Sequence, residues 1–230
     1  MESPHNPVLT MSPPVLSQGP IILRGGSRAD AAYCVLNRVW AALLLLMLSP
    51  LMLCIAWSIW REDGAPVLFA HWRVGQNGHL FRCLKFRTMV RNADLALADL
   101  LLRDHQARAE WARDHKLRDD PRIMRIGRFM RRTSLDELPQ LINVLRGEMN
   151  LVGPRPVVVQ EVPRYGEHTC HYLSVKPGIT GLWQVSGRNN LSYEQRVALD
   201  ARYVETRSLR GDAAILLRTV SVLVTRDGAC

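Results

Sequence analysis

Apolar and polar positions divide the chain into three stretches. Residues 1–37 show no apolar periodicity and carry Pro4, Pro7, Pro13, Pro14, Pro20 and Gly25-Gly26. That pattern predicts a disordered or loosely held leader. It lacks the order of a secretory signal, because the apolar run comes late and no small-residue cleavage site follows it. Residues 39–60, VWAALLLLMLSPLMLCIAWSIW, then carry no charge at all and are bracketed by Arg38 and Arg61. About 20 apolar residues suffice to cross a bilayer as a helix. Trp40, Trp57 and Trp60 fall near the two ends of the run, as interface anchors do. A soluble core helix is not apolar on every face for this long.

Ser49-Pro50 sits midway along the run. A proline removes one backbone hydrogen bond and clashes with the preceding turn, which predicts a kink or break there. The Ser49 hydroxyl is placed to satisfy a freed carbonyl locally. Two arms of about ten residues, each ~15 Å long, would let the segment enter and leave a membrane by one face. A kinked single-pass helix satisfies the same hydropathy, and basic residues on both flanks do not choose between them. The anchor is assigned to 38–61 and a folded domain to 62–230.

Within that domain the pattern is of the α+β class: a small mixed helix and strand unit with amphipathic helices on its surface. APVLFAHWRVG and LFRCLKFRTM read as two strands around the turn GQNG at 75–78. Residues 92–115 read as one helix with an apolar stripe through Leu97, Leu100 and Leu101. PRIMRIGRFMRR, 121–132, mixes Ile123, Ile126, Phe129 and Met130 with five arginines, as a basic segment lying on anionic lipid does and as an ordinary basic surface helix does too. Ser192 and Gln195 form a capping box at the start of a further helix. A last helix is expected near 212–226.

Charge then narrows the chemistry. There are 30 basic residues against 21 acidic ones, a formal net charge of +9. Only Lys85, Lys116 and Lys176 among them are lysines, so the excess is of arginine, which favours anionic partners. The five cysteines, Cys34, Cys54, Cys83, Cys170 and Cys230, are scattered and show no zinc-type spacing. They read as reduced thiols of a cytosol-facing protein. The cluster His168, Cys170 and His171 lacks a second ligand pair for a metal.

RRTSLDELPQL, 131–141, sets Asp136 and Glu137 directly behind a group of arginines. Ser134 and Glu137 fit a capping box, while Pro139 fits equally a first turn that restarts there. In either case free N–H groups and the positive end of a helix lie near Asp136, a setting that attracts phosphate and keeps an aspartate ionised. Such an aspartate is a competent nucleophile toward phosphorus and a ligand for Mg²⁺. LKFRTM places Lys85 and Arg87 at a strand end, alternating with Phe86. NLVGPRP holds Arg155 between two prolines, and KPGITGLWQVSGRN supplies Gln184 and Arg188 in a loop-rich setting. Each of these stretches also reads as turn chemistry and surface charge, and Lys85, Arg87, Arg132, Arg155, Gln184 and Arg188 stand as candidates for holding phosphate or substrate.

KFRTM, TSLDELPQLINVLRGEMNLVGPRP and KPGITGLWQVSGRN, in that order, resemble the bacterial sugar transferase family, the monotopic polyprenyl-phosphate phosphoglycosyl transferases. The resemblance runs from about residue 35 to 226, and the chain is similar to the short, exopolysaccharide-type members. It implies transfer of a sugar-1-phosphate from a UDP-sugar to undecaprenyl phosphate, with release of UMP and with Mg²⁺ as cofactor. Galactose and glucose are the expected sugars, with N-acetylated sugars left open. The resemblance makes Ser49-Pro50 the turn of a re-entrant membrane hairpin, so that the domain lies on the cytoplasmic face of a bacterial inner membrane. It makes Asp136 the nucleophile and Mg²⁺ ligand, and Glu137 the group that receives or positions the proton of the acceptor phosphate. The expected partners are the UDP-sugar, undecaprenyl phosphate and inner-membrane lipid, without nucleic acid, and nothing fixes an oligomeric state.

One stretch departs from the family pattern. The C-terminal SLRGDAAILLRT has Gly211 and two alanines where larger residues are usual, so this helix is expected to start late or pack loosely. Two other readings compete. A membrane-tethered glycosyltransferase would release UDP, but no two aspartates here stand two residues apart to hold a nucleotide-sugar metal. A non-catalytic basic protein binding lipid or nucleic acid would not need Asp136 and would bind with steep salt dependence.

Overall fold

A computed structural model describes residues 28–114, 117 and 119–225. The apolar run lies inside helix α1 (Arg28–Asp63), which is long and apolar enough to cross a membrane. The helix begins well before the boundary expected at residue 38. Polar Asp30, Asn37 and Arg38 end the hydropathy signal before the backbone stops being helical. Residues 1–27 of the expected leader lie outside the described residues. The break expected at Ser49-Pro50 is not an interruption, because α1 runs through Pro50. Proline leaves the carbonyl four residues back without its partner, and the Ser49 hydroxyl donates to that carbonyl, on Leu46, at 2.8 Å.

The two arms of α1 bury their inner faces in different places. Ala41, with Leu44, Leu45 and Leu48, joins the core formed by Phe81, Leu141, Val144, Met149, Leu151 and Ile215. Past the proline, Ile55 and Ile59, with Met52, pack on Phe86, Met124 and Met130. Both ends of the helix are also bonded into the domain. The Asn37 side-chain Oδ1 accepts from Leu151 N at 2.8 Å, and Tyr33 donates to Asp212. At the far end Glu62 accepts from the backbone N–H of Arg125 at 2.7 Å, and Arg87 is paired with Asp63.

The expected hairpin is present as antiparallel strands β1 (Leu68–Val74) and β2 (Leu80–Phe86). The single helix expected over 92–115 is two, α2 (Ala93–Arg103) and α3 (His105–Asp114). Asp104 divides them in an extended conformation, and its carboxylate accepts from the N–H groups of Gln106 and Ala107, which favours a new helix start over continuation. Helix α4 (Arg125–Thr133) covers the basic segment. Its Gly127 lies so close to the strand exit that a Cβ there would stand 2.1 Å from the Thr88 carbonyl oxygen. Ser134 then turns the chain in the left-handed region, φ 56°, and a 3-10 turn carries Leu135–Glu137. Ser134 makes no side-chain cap there, so the capping box with Glu137 is not formed. Pro139 instead precedes α5 (Gln140–Arg146).

Strands β3 (Asn150–Val152) and β4 (Gly178–Thr180) pair in parallel, with α6 (Thr169–Ser174) between them in the chain. Helix α7 (Tyr193–Thr206) opens on the expected Ser192–Gln195 capping box. Helix α8 (Leu209–Thr225) starts ahead of Gly211 rather than after it, because Ser208 accepts from the N–H groups of both Gly211 and Asp212. The fold is thus of the mixed α+β type, mostly helical, with two small two-stranded sheets.

One buried side chain joins the hairpin to the helix that follows the acid pair. Asn143 on α5 is fully buried. It accepts from Leu84 N at 3.0 Å and donates to the Arg82 carbonyl at 2.8 Å and to Glu148 at 2.6 Å. It therefore pairs the edge of β2 as a third strand would, and fixes how far along β2 the start of α5 sits. Asn143→Ala strips three partly buried groups of their partner, at a cost of up to roughly 1–3 kcal/mol each before relaxation. We expect it to lower the denaturation midpoint markedly in detergent-solubilised protein, whereas Leu102→Ala, on an exposed residue, should leave the midpoint nearly unchanged.

Candidate active site

Asp136 and Glu137 lie on the 3-10 turn between α4 and α5, facing the end of β2. Lys85 reaches across from that strand. Its Nζ donates to Glu137 Oε1 at 2.6 Å and stands 3.9 Å from Asp136 Oδ2. The carboxylates are largely covered, with side-chain exposures of 14% for Asp136 and 21% for Glu137. Burial acts on both acids but with different outcomes. It would raise Glu137, yet Lys85 and Arg155 outweigh it and hold that carboxyl below the usual range. For Asp136 burial prevails over the pull of Lys85, and neighbouring Glu137 adds to it, so its carboxyl lies above the usual range. Two adjacent acids are thereby made unequal: one firmly ionised, the other a more basic oxygen donor.

The remaining sequence candidates divide. Arg155 is exposed on the turn after β3, its guanidinium 6.0 Å from the centroid of the buried Trp183 ring. Gln184 donates through Nε2 to the Ile179 carbonyl at 3.2 Å, and its buried Oε1 has no partner. Arg188, at φ 48°, donates through Nε to the Gln184 carbonyl at 3.3 Å. These three lie around one cavity with Glu137. Arg87 does not join them. It is buried, and its guanidinium is taken by Asp63 and the Gly64 carbonyl at the end of α1. Arg132 is exposed and lines neither cavity described here. Its neighbour Arg131 does, with Nε held by Thr88 Oγ1 at 2.9 Å. One residue along a helix turns a side chain by roughly 100°, and sequence pattern alone did not say which arginine faced inward.

The cavity has a volume of about 370 Å³. Its polar rim is Arg131, Ser134, Glu137, Arg155, Gln184 and Arg188. Its floor is apolar and brings distant parts of the chain together: Leu44 and Leu48 from the first arm of α1, Leu141 from α5, and Leu216 and Leu223 from α8. A second, water-sized cleft of about 10 Å³ lies on the other side of the same groups and is lined by Arg73, Cys83, Lys85, Glu137, Arg155 and Gln184 among others. Burial pushes the Cys83 thiol up to about 11, which makes it unreactive at neutral pH. Sequence reading missed Arg73. Strand parity carried the signal: Arg73 stands opposite Phe81 and Lys85 opposite Phe69, and partners across an antiparallel pair share a face.

No group of three metal-ligating side chains occurs among the described residues. His171 instead faces Glu205 at 3.3 Å. One carboxylate beside several cations, as Asp136 is here, does fit Mg²⁺, which keeps most of its waters and takes substrate oxygens rather than an all-protein cage.

Residues 29–226 match the family described as bacterial sugar transferase. The chain is 52% identical over 191 residues to an undecaprenyl-phosphate galactose phosphotransferase of Salmonella typhimurium, covering 83% of this chain and 40% of that protein. It is 45% identical over 204 residues to the exopolysaccharide production protein ExoY of Rhizobium meliloti, covering 89% of each. It is 40% identical over 203 residues to a UDP-glucose:undecaprenyl-phosphate glucose-1-phosphate transferase of Caulobacter vibrioides, covering 85% of this chain and 70% of that protein. This chain therefore spans well under half the length of the galactose phosphotransferase but nearly the whole of ExoY. By the extent of these matches, it belongs to the bacterial sugar transferase family.

Proposed function

We propose that the protein transfers a hexose-1-phosphate, galactose or glucose, from a UDP-hexose to undecaprenyl phosphate, releasing UMP. The observation that carries this reading is the meeting of two environments at Glu137. A carboxylate pair under Lys85 and flanking arginines adjoins a trough floored by leucines of α1 and α8. An isoprenoid phosphate has the same division, an apolar chain ending in an anion. Relatives named for undecaprenyl-phosphate transfer of galactose and of glucose phosphate support the reaction class and the two sugars.

In this mechanism an Asp136 oxygen attacks the β-phosphorus of the donor. The bond from that phosphorus to the bridging oxygen breaks, and UMP leaves with that oxygen. The hexose phosphate stays as an acyl phosphate on Asp136. An oxygen of undecaprenyl phosphate then attacks the same phosphorus, which regenerates the Asp136 carboxylate and forms the diphosphate-linked lipid. Glu137, kept ionised by Lys85 and Arg155, receives a proton from the acceptor phosphate or orients it. Lys85, Arg131 and Arg155 neutralise charge on the phosphoryl oxygens, the main requirement of this chemistry. Mg²⁺, held by Asp136 and donor phosphate, would supply further charge neutralisation.

We also infer that α1 is re-entrant and that the domain lies on the cytoplasmic face. Both ends of α1 are bonded to one domain, through Tyr33 and Asn37 at the first and Glu62 and Asp63 at the second. A folded domain cannot sit on two sides of a bilayer, so both ends belong on its side. Exposed Leu43, Leu46, Met47, Leu53 and Trp57 on α1, with Leu217 and Val220 on α8, supply apolar surface for lipid.

Two measurements check this. Purified protein with undecaprenyl phosphate, Mg²⁺ and a panel of UDP-sugars should form lipid product and UMP, lost on chelation with EDTA and reduced at least ~1,000-fold by Asp136→Asn. UDP as the product would support the tethered glycosyltransferase instead. For topology, cysteines introduced at Ala32 and Arg61 should both resist a membrane-impermeant maleimide in intact cells and both react after permeabilisation. Labelling at Ala32 alone in intact cells would mean that α1 spans the membrane.

A further inference from the structure

Arg73 lines the cleft beside Glu137, yet the reaction as described leaves it without a task. Among the described residues its guanidinium makes no hydrogen bond and no ion pair. Lys85 has the acid pair and Arg87 has Asp63, so the hairpin's other two inward cations are matched. With Lys85 set against the acid pair, Arg73 and Arg155 are the other two cations on the wall of the cleft. Burial and the nearby charge of Arg155 disfavour the Arg73 cation more than Cys83 and the Glu161 carboxylate favour it. An arrangement of that kind is costly unless a further anion enters.

The space defines how much of an anion enters. About 10 Å³ holds one water-sized group, which is the size of a single phosphoryl oxygen. Glu137, Arg155, Ile179 and Gln184 line both this cleft and the large cavity. A phosphate seated at that shared edge can direct one oxygen toward Arg73 while the rest of the ligand occupies the larger space. The apolar floor, made by α1 and α8, lies in the large cavity only. The lipid chain is thus directed away from Arg73, and the acceptor's single phosphate is engaged at Glu137, so the second phosphate of the donor diphosphate is the anion left to meet it.

We propose that Arg73 is a donor-specific phosphate ligand, binding one oxygen of the nucleotide-sugar diphosphate and making no contact with the lipid acceptor. This rests on the UDP-hexose reading above and adds a division of labour to it. Lys85 serves the acid pair and the phosphorus under attack, and Arg73 recognises the donor diphosphate.

The test compares wild type, Arg73→Gln and Arg73→Lys as full-length protein in lipid nanodiscs. Loss of one charged hydrogen bond should raise the KM for UDP-hexose roughly 10- to 100-fold in Arg73→Gln. The KM for undecaprenyl phosphate should stay within about twofold, since that substrate makes no contact there. Arg73→Lys should recover part of the loss, because it restores charge without the planar fork. Unchanged donor KM overturns the proposal. Equal rises in both KM values, with a lowered melting temperature in both variants, would show a structural role and overturn it as well. Calorimetric titration with inorganic pyrophosphate needs no turnover and separates this proposal from the reaction on which it rests. Arg73-dependent pyrophosphate binding without UMP release by wild type would sink the reaction but keep the anion site. Normal UMP release with pyrophosphate binding indifferent to Arg73 would do the reverse.

Discussion

The contact of Lys85 with two neighbouring carboxylates is the constraint around which this structure is arranged. Side by side and mostly out of water, Asp136 and Glu137 repel each other and lose hydration, and one ammonium 2.6 Å from the second and 3.9 Å from the first makes their coexistence tolerable. That ammonium comes from another part of the chain, so its position depends on how the β1–β2 hairpin meets the α4–α5 corner. Asn143 sets the meeting by pairing the edge of β2. Gly127 lets α4 approach the backbone at Thr88. Left-handed Ser134 turns the chain so that both acids follow at the corner. Each of these is a structural detail whose consequence is electrostatic.

The long apolar helix α1 is part of the same arrangement rather than a tether attached to it. Its first arm contributes Leu44 and Leu48 to the cavity floor, and its second arm packs beneath α4 through Ile55 and Ile59. Its end takes up Arg87, which fixes the strand that carries Lys85 one residue earlier than Phe86. A lipid chain entering along α1 would therefore meet the polar rim directly. Ser49 replaces the hydrogen bond that Pro50 removes, so the helix keeps its polar backbone satisfied at its weakest point, as an apolar surrounding requires.

Much of this was legible in the sequence where the signal is local. The hairpin followed from a turn between alternating residues, the anchor from an uncharged run, and the start of α7 from the Ser192–Gln195 box. The acid pair stood out because charge and proline framed it. What escaped was set by distant partners. Arg87 looked like a phosphate ligand until Asp63 claimed it. Arg131 and Arg132 were indistinguishable without the rotation of α4. Ser134 and Glu137 have the spacing of a capping box, but the left-handed backbone at Ser134 forbids it. The parallel pairing of β3 with β4 joins segments of three residues each across a long stretch of chain, too short to leave a periodic trace. Arg73 was hidden because its meaning lies in the strand opposite.

The proposed reaction depends on Asp136 supplying the oxygen that takes up phosphorus, although Glu137, its neighbour, is the one that lines the cavity. The most direct measurement is to quench the purified protein in acid after mixing it with UDP-hexose and Mg²⁺ in the absence of lipid, then weigh it intact and map the modified peptide. The account requires one hexose phosphate per chain, attached at Asp136 and removed when undecaprenyl phosphate is added. An adduct on Glu137, or no adduct in a preparation that turns over normally with lipid, would contradict it.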